Sequence, residues 1–161
     1  MFKDDQFWRK EDIKVSKQQA SAYSEETIQQ KLAEADSINE IKAKAIINKY
    51  GYPGYSLVAE ASNNFWAIVQ HCDDDIRFQE QVLKLMKLEI DKNNADKINY
   101  AYLTDRVLAN KKEKQIYGTQ VLVDPKTHKA KPMPLKYPKQ VNVLGKKMRM
   151  EPLEVYLKGF E

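Results

Sequence analysis

The chain has 161 residues, 42% of them hydrophobic, and a net charge of +4, which suits one compact domain with a core and is short for two. Charged residues make up 31% and Gly and Pro are few, which argues against disorder over most of the length. No run approaches the roughly 20 apolar residues of a membrane-spanning helix. The polar start argues against a secretory signal, and the sequence as written favours a cytoplasmic protein unless a leader has been trimmed.

The first third of the chain predicts helices. Residues 5–35 are rich in Gln, Lys, Glu and Ala with sparse apolar positions, which indicates an N-terminal helical segment. Asp36-Ser37-Ile38-Asn39 offers N-cap chemistry for a second helix. Gly51-Tyr52-Pro53-Gly54 is expected to end that helix, because Pro disfavours helical geometry in the preceding residue and Gly takes a left-handed cap.

Three more helical patterns follow. A stripe at steps of three and four residues runs through Leu57, Ala61, Phe65, Ile68 and Cys72, with His71 at its edge. Asp73-Asp74-Asp75 predicts a break and a cap for the helix that Lys92-Asn93-Asn94 closes. A helix from Asp96 to Ala109 places Asp105 on an apolar stripe, where a carboxylate must be paired, hydrogen-bonded or raised in pKa.

Strand patterns begin after residue 114. Strand-forming side chains alternate at Tyr117, Thr119, Val121 and Val123. Asp124-Pro125-Lys126-Thr127 predicts a turn, and the returning strand at 129–135 must be an edge because it contains two prolines. The predicted fold is mainly α (α+β): a single domain, 1–161, with a helical segment at 1–35, a helical core at 36–110, one small antiparallel β-hairpin at 115–136 and short helices at 141–158.

Two polar clusters interrupt these amphipathic segments, although folding alone does not require them. One hypothesis is a hydrolase-like or transferase-like site in which His71 is the acid or base, Asp105 orients it and Tyr117 assists. The residues predicted to bind its ligand are Gln70, Arg106, Gly118, Thr119 and Gln120. The alternative is a buried hydrogen-bond network that joins the helix ending at His71 to the hairpin.

Metal and cofactor chemistry have little support. The single Cys72 excludes an intrachain disulfide and a cysteine-based zinc site. Only His71 and His128 supply imidazoles, without the spacing of a zinc motif. No glycine-rich phosphate loop is present. We therefore predict no metal and no cofactor, and the place of Cys72 on the apolar stripe favours a core thiol over a reactive thiolate.

Two surfaces indicate other functions. No Asp or Glu occurs between Pro125 and Met150, and a partner or anion surface is predicted at Lys126, Lys129, Lys131, Lys146, Lys147 and Arg149. Nucleic acid is a less favoured partner, because Tyr137 alone among aromatic residues accompanies these charges, and a solvated lysine-rich surface is the simpler interpretation. An adaptor or immunity-type interaction module is the other alternative, with Trp66, Phe7 and Trp8 either as interface anchors or as packing residues. The predicted partner is thus an unidentified small molecule or protein.

Seven short motifs follow one another along the chain. They are Asp5-Gln6 with Arg9; Asp36 with Asn39; Tyr50-Gly51-Tyr52-Pro53; Gln70-His71 with Asp73; Ala101-Tyr102-Leu103-Thr104-Asp105-Arg106; Gln115 with Tyr117-Gly118-Thr119-Gln120; and Pro152-Leu153 with Tyr156-Leu157. Their order resembles an uncharacterised bacterial family, domain of unknown function 6624, over almost the whole length. The resemblance indicates which positions of this chain match the family's motifs, and it implies no activity. The family pattern has paired arginines and then Gly-Leu before the final helix, where this chain has Leu144-Gly145 and Arg149-Met150.

Overall fold

The computed structural model describes residues 1–160, and within them it contains eight helices and one two-stranded antiparallel sheet. The mainly α fold with one small hairpin is therefore confirmed. The chain divides into two compact units, Met1–Asp74 and Asp75–Glu161, so the single-domain organisation stays a prediction. Among the described residues, no helix combines the length and the apolar character needed to cross a bilayer.

The first unit contains four helices, which are α1 (Phe2–Ser16), α2 (Glu25–Tyr50), α3 (Tyr55–Val58) and α4 (Ala61–Val69). Both α1 and α4 pack against α2, and α1 also contacts α4. Side chains from α2 and α4 supply most of the apolar core of this unit, including Ile28, Leu32, Ala43, Ile47, Phe65, Ile68 and Val69. As predicted, α2 ends at Gly51, which adopts a positive φ of 71°.

The predicted N-cap at Asp36 is wrong. Instead, α2 begins at Glu25 behind Ser24, whose hydroxyl accepts the Thr27 N–H at 3.2 Å, and it continues without a break through residues 36–39. The chain turns at 17–24, where Gln18 has a φ of 56°. The carboxylate of Asp36 contacts Arg9 on α1. An interaction between helices has therefore taken the side chain that local sequence assigned to a cap.

The second unit contains α5 (Ile76–Ile90), α6 (Lys97–Asn110), β1 (Val121–Val123), β2 (Ala130–Pro132), α7 (Val141–Lys147) and α8 (Leu153–Lys158). The cap predicted within Asp73-Asp74-Asp75 is present, because Asp75 accepts the Phe78 N–H at 2.9 Å. The helix predicted from Asp96 begins behind that residue, whose side chain accepts the Asn99 N–H at 2.9 Å. The helices α5 and α6 pack together, and α8 contacts both α7 and β2. The two strands pair with Leu122 opposite Lys131.

The predicted strand begins later than its side-chain alternation indicates. Residues 117–120 form a loop, and β1 starts only at Val121. Gly118 has a φ of 85°, and the backbone N–H groups of Tyr117 and Thr119 bond to the side chain of Asp105. These groups are consequently not available to a neighbouring strand.

The position of the α2 cap can be tested with two serines. Replacement of Ser24 by Ala removes the hydroxyl that accepts an otherwise unpaired N–H, and we expect the free energy of unfolding to fall by about 1 kcal/mol. Ser37 is exposed inside the helix, so Ser37→Ala should be neutral or raise stability by about 0.5 kcal/mol. Urea unfolding of both variants measures the difference. A larger loss for Ser37→Ala than for Ser24→Ala would contradict the observed start of α2.

Candidate functional site

A polar cavity of about 530 Å³ lies in the first unit, between α1, α2 and the turn that follows α4. Three of the motifs found in the sequence meet there, through Arg9, Asp36 and His71 with Asp73. The full lining consists of Arg9, Asp12, Gln29, Leu32, Ala33, Asp36, Ser37, Glu40, His71, Asp73 and Asp74. The volume lies in the range of small-ligand sites.

An ion-pair chain forms part of this lining. The Nε of Arg9 donates to Oδ1 of Asp5 at 3.0 Å, and its Nη2 lies 2.9 Å from the same oxygen and also contacts Oδ1 of Asp36. Asp5 is fully buried, and its other oxygen accepts the side-chain amide of Gln6 at 2.9 Å. A buried carboxylate is tolerated when its charge is paired and its oxygens are hydrogen-bonded. Arg9 is thereby fixed, and it connects α1 to α2.

Asp36 is a carboxylate of the cavity whose acidity is changed by its surroundings. Burial raises the pKa of Asp36, the charge of Arg9 opposes that rise, and the charges of Asp5 and Asp73 add to it. The folded protein therefore favours the protonated form of Asp36 more than the unfolded chain does. Its contribution to stability is greatest in acid, below the unfolded-state pKa, and is lost as the pH rises through the folded-state pKa.

His71 lies in the turn after α4 and is half-buried. The next residue, Cys72, is a buried thiol whose Sγ lies 3.6 Å from the carbonyl oxygen of Ile68. Burial, together with the charges of Glu40 and Asp36, raises the pKa of Cys72 to about 12. The thiolate is thus disfavoured near neutral pH. Cys72 is a core thiol, whereas His71 lines the cavity together with Asp73 and Asp74 of the same turn.

A second polar arrangement centres on Asp105 in the other unit. Its side chain is fully buried, and Oδ1 accepts the N–H groups of Ile116 at 2.7 Å and Tyr117 at 3.0 Å, while Oδ2 accepts that of Thr119 at 2.9 Å. Burial raises the pKa of Asp105, and these backbone donors oppose the rise. The carboxylate therefore organises the loop from 116 to 119 around itself.

Gln115 completes this loop. Its buried side-chain amide donates to the carbonyl oxygens of Gln120 at 2.9 Å and Met133 at 2.8 Å, and its Oε1 accepts the N–H of Gln120 at 2.9 Å. Beside it, a Cβ on Gly118 would lie 2.8 Å from a side-chain methyl of Leu153. The loop is consequently closed by hydrogen bonds on one side and by packing on the other.

Tyrosines flank the same loop. The hydroxyl of Tyr156 donates to the carbonyl oxygen of Thr119 at 3.1 Å, and its ring meets that of Tyr102 edge-on. Burial raises the pKa of Tyr117 to about 12, which keeps its phenol protonated near neutral pH.

The predicted catalytic residues are divided between the two units. Gln70 and His71 belong to the first unit, whereas Asp105, Arg106 and Tyr117 to Gln120 belong to the second. A site composed of both sets stays a prediction. The sequence interpretation did not place Arg9, Asp36 and Asp73 in a site, although each stood in a recognised motif. The four-residue spacing of Asp5 and Arg9 on one helix was the available signal of their ion pair.

The other predicted surfaces also have clear positions. The cations of the predicted anion surface are all exposed, and within the described residues none forms an ion pair; they are Lys126, Lys129, Lys131, Lys146, Lys147 and Arg149. Near the N-terminus, Trp8 packs edge-on against Phe7 and Tyr23, each with ring centroids 5.0 Å away. These rings join α1 to the segment that precedes α2.

An apolar cavity of about 600 Å³ also lies in the first unit, beside the C-terminal end of α2 and along α4. Apolar side chains such as Ile46, Pro53, Phe65 and Ile68 contribute to its wall. Its lining contains no Asp, Glu, His, Lys or Arg side chain. In residues 1–160, no set of three or more His, Cys, Asp and Glu side chains is arranged to hold a metal ion.

Comparison with known proteins gives one family. The model of a family of unknown function (DUF6624) matches residues 2–161. No curated protein and no solved structure matches the chain.

Changing the neighbours of Asp36 should move its pKa in opposite directions. Replacement of Arg9 by Met removes the charge that favours the carboxylate, and we expect the pKa of Asp36 to rise further. Replacement of Asp73 by Asn removes a repelling charge, and the pKa should fall. Carboxyl ¹³C NMR during an acid titration measures both values, and Asp124 in the exposed turn serves as an internal control that should not move. A shift of the same sign in both variants would contradict the arrangement.

The Asp105 loop can be tested against an exposed loop of similar chemistry. In Asp105→Asn, an amide NH₂ replaces one of two accepting oxygens and faces a backbone N–H, so we expect a loss of about 3 kcal/mol. Asp124 is exposed and accepts both the Lys126 and Thr127 N–H groups on one oxygen, which Asn retains. Asp124→Asn should therefore cost about 1 kcal/mol or less. Equal losses for the two variants in urea unfolding would show that burial of Asp105 is unimportant.

Proposed function

Since the chain belongs to the DUF6624 family, a family of unknown function, we propose its function from the polar cavity: the first unit binds a small polar ligand there, and His71 exchanges a proton with it. The observation that carries this proposal is the convergence of Arg9, Asp36 and His71 on one cavity from three separate parts of the chain. Each is charged or titratable. Residues that serve only local folding have no need to meet in a cavity.

The chemistry of the lining suits a hydrolase or a transferase. Imidazole titrates near neutral pH, so His71 can accept a proton from a reacting group and return it to a leaving group. Asp36 supplies a carboxylate whose pKa is raised by burial, and the paired guanidinium of Arg9 holds that carboxylate in place. A ligand would therefore meet one acid–base group and one oriented carboxylate.

The predicted site residues of the second unit have different proposed roles. Both oxygens of Asp105 are engaged by backbone N–H groups, which favours a role in shaping the loop over a role in proton transfer. The proposed parts of Tyr117, Gly118, Thr119 and Gln120 in ligand binding rest on the order of motifs.

Ligand-observed NMR with a library of polar fragments tests the proposal on the whole chain. We expect some fragments to bind the unmodified protein and to lose binding in Asp36→Asn. In His71→Gln they should still bind, with the change in affinity between about pH 5.5 and 7.5 removed, because that change reports imidazole titration.

Asp91→Asn is the matched control, since Asp91 is an exposed carboxylate that pairs with Lys87 on α5. Its binding should equal that of the unmodified protein. If no fragment depends on Asp36, the proposal of a ligand site is wrong. Binding that depends on Asp36 but is indifferent to pH in both proteins would instead favour the non-catalytic alternative, in which the cavity is the docking site of an adaptor or immunity-type module.

A further inference from the structure

We propose that the ligand of the polar cavity is an organic cation, held through an alkylammonium or guanidinium group. This inference rests on the proposed function, because it names the ligand class of the same cavity. It starts from the balance of charge in the lining. Five lining side chains are carboxylates and one is a guanidinium, in a protein whose net charge is +4.

The guanidinium is already used by the protein. Arg9 contacts the carboxylates of both Asp5 and Asp36, so one positive charge faces two negative charges. An anionic ligand that sought Arg9 would have to compete with Asp36 and then lie among the remaining carboxylates. Like charges brought together in this way are unfavourable, and more so where water is partly excluded.

Two further carboxylates have no cationic partner. Asp12 accepts a neutral amide hydrogen bond from Gln29 at 2.7 Å, and within residues 1–160 neither Asp12 nor Asp74 forms an ion pair. By contrast, Glu40 is paired with Lys44 at 2.5 Å. The negative charges of Asp12 and Asp74 are therefore not balanced by an ion pair with a described side chain.

The raised pKa of Asp36 agrees with an excess of negative charge in the cavity. The negative charges of Asp5 and Asp73 both raise its pKa, in addition to burial. A cation bound in the cavity would favour the ionised carboxylates and so would relieve this repulsion. Binding would consequently release protons from the site.

The arrangement suits an organic cation better than a metal ion. A divalent metal needs a compact set of oxygen ligands at about 2.0–2.6 Å, and the described residues include no such set of three or more acidic, His or Cys side chains. The cavity is much larger than one ion, at about 530 Å³. Carboxylates spread over α1, α2 and the turn after α4 match a ligand with separated donor groups.

Three probes of equal chain length separate charge from size: 1,4-diaminobutane, succinate and 1,4-butanediol. We expect diaminobutane to bind the full-length protein at low ionic strength and to shift the carboxyl ¹³C signals of Asp12 and Asp36. Succinate and butanediol should bind at least about tenfold more weakly, because unlike charges attract appreciably at short range even near the protein surface. Raising the salt concentration should weaken the diaminobutane affinity.

Two variants locate the binding. Asp12→Asn and Asp74→Asn should each weaken diaminobutane by at least about threefold, since each removes one uncompensated charge. Asp91→Asn removes an exposed carboxylate outside the cavity and should leave the affinity unchanged.

A further probe, Nα-acetyl-lysine-N-methylamide, identifies the source of the cation. Tighter binding of this probe than of diaminobutane indicates a protein side chain, and weaker binding indicates a free amine. Both of these results require the cation site.

Four outcomes overturn the inference. They are succinate binding at the same residues, equal binding of butanediol, displacement of diaminobutane by equimolar Mg²⁺, and an affinity that none of the cavity variants alters. Failure of the inference is distinguishable from failure of the proposed function. If polar fragments still bind through Asp36 while diaminobutane does not, the ligand site stands and its cationic preference is wrong.

Discussion

The first unit depends on carboxylates that one helix buries. In α1, the buried positions are Asp5 and Glu11, so this helix is fixed to its surroundings by charge and hydrogen bonding rather than by a wide apolar face. Asp5 holds Arg9, which reaches Asp36 on α2, and Glu11 accepts the hydroxyl of Ser21 at 2.7 Å. Such pairs have directional geometry. They set the position of α1, and the wall of the polar cavity follows from that position.

In the second unit, a buried carboxylate likewise fixes a loop through hydrogen bonds. Asp105 gathers three backbone N–H groups, and Gln115 bonds to backbone groups of Gln120 and Met133. A buried polar group is costly when it is left unpaired, so a network of this kind admits few alternative arrangements. The positive φ at Gly118 and the close contact with Leu153 then allow only a small residue at the turn.

Local patterns in the sequence correctly predicted those helix ends that depend on interactions between residues close together in the chain. The cap at Asp75, the start of α6 at Asp96 and the end of α2 at Gly51 were predicted because their hydrogen bonds and dihedral angles involve residues within one turn. The predictions failed where the partner is distant in sequence. Asp36 was predicted to be a cap because local sequence does not show that its partner is Arg9, which lies 27 residues earlier.

Residues 117–120 were predicted to form a strand from their alternating side chains. That prediction failed because the N–H groups of Tyr117 and Thr119 bond to the side chain of Asp105, which lies 12 and 14 residues earlier. The polar cavity was missed for the same reason, since it exists only where α1 packs on α2.

The division at Asp74 and Asp75 also separates net charge. Residues 1–74 contain nine Lys and Arg against twelve Asp and Glu, whereas residues 75–161 contain 18 Lys and Arg against 11 Asp and Glu. The protein is thus a polyampholyte with an acidic N-terminal and a basic C-terminal part. In dilute buffer, unlike parts of different copies attract one another, so its solubility and apparent mass should depend on salt until the Debye length falls to about 8 Å.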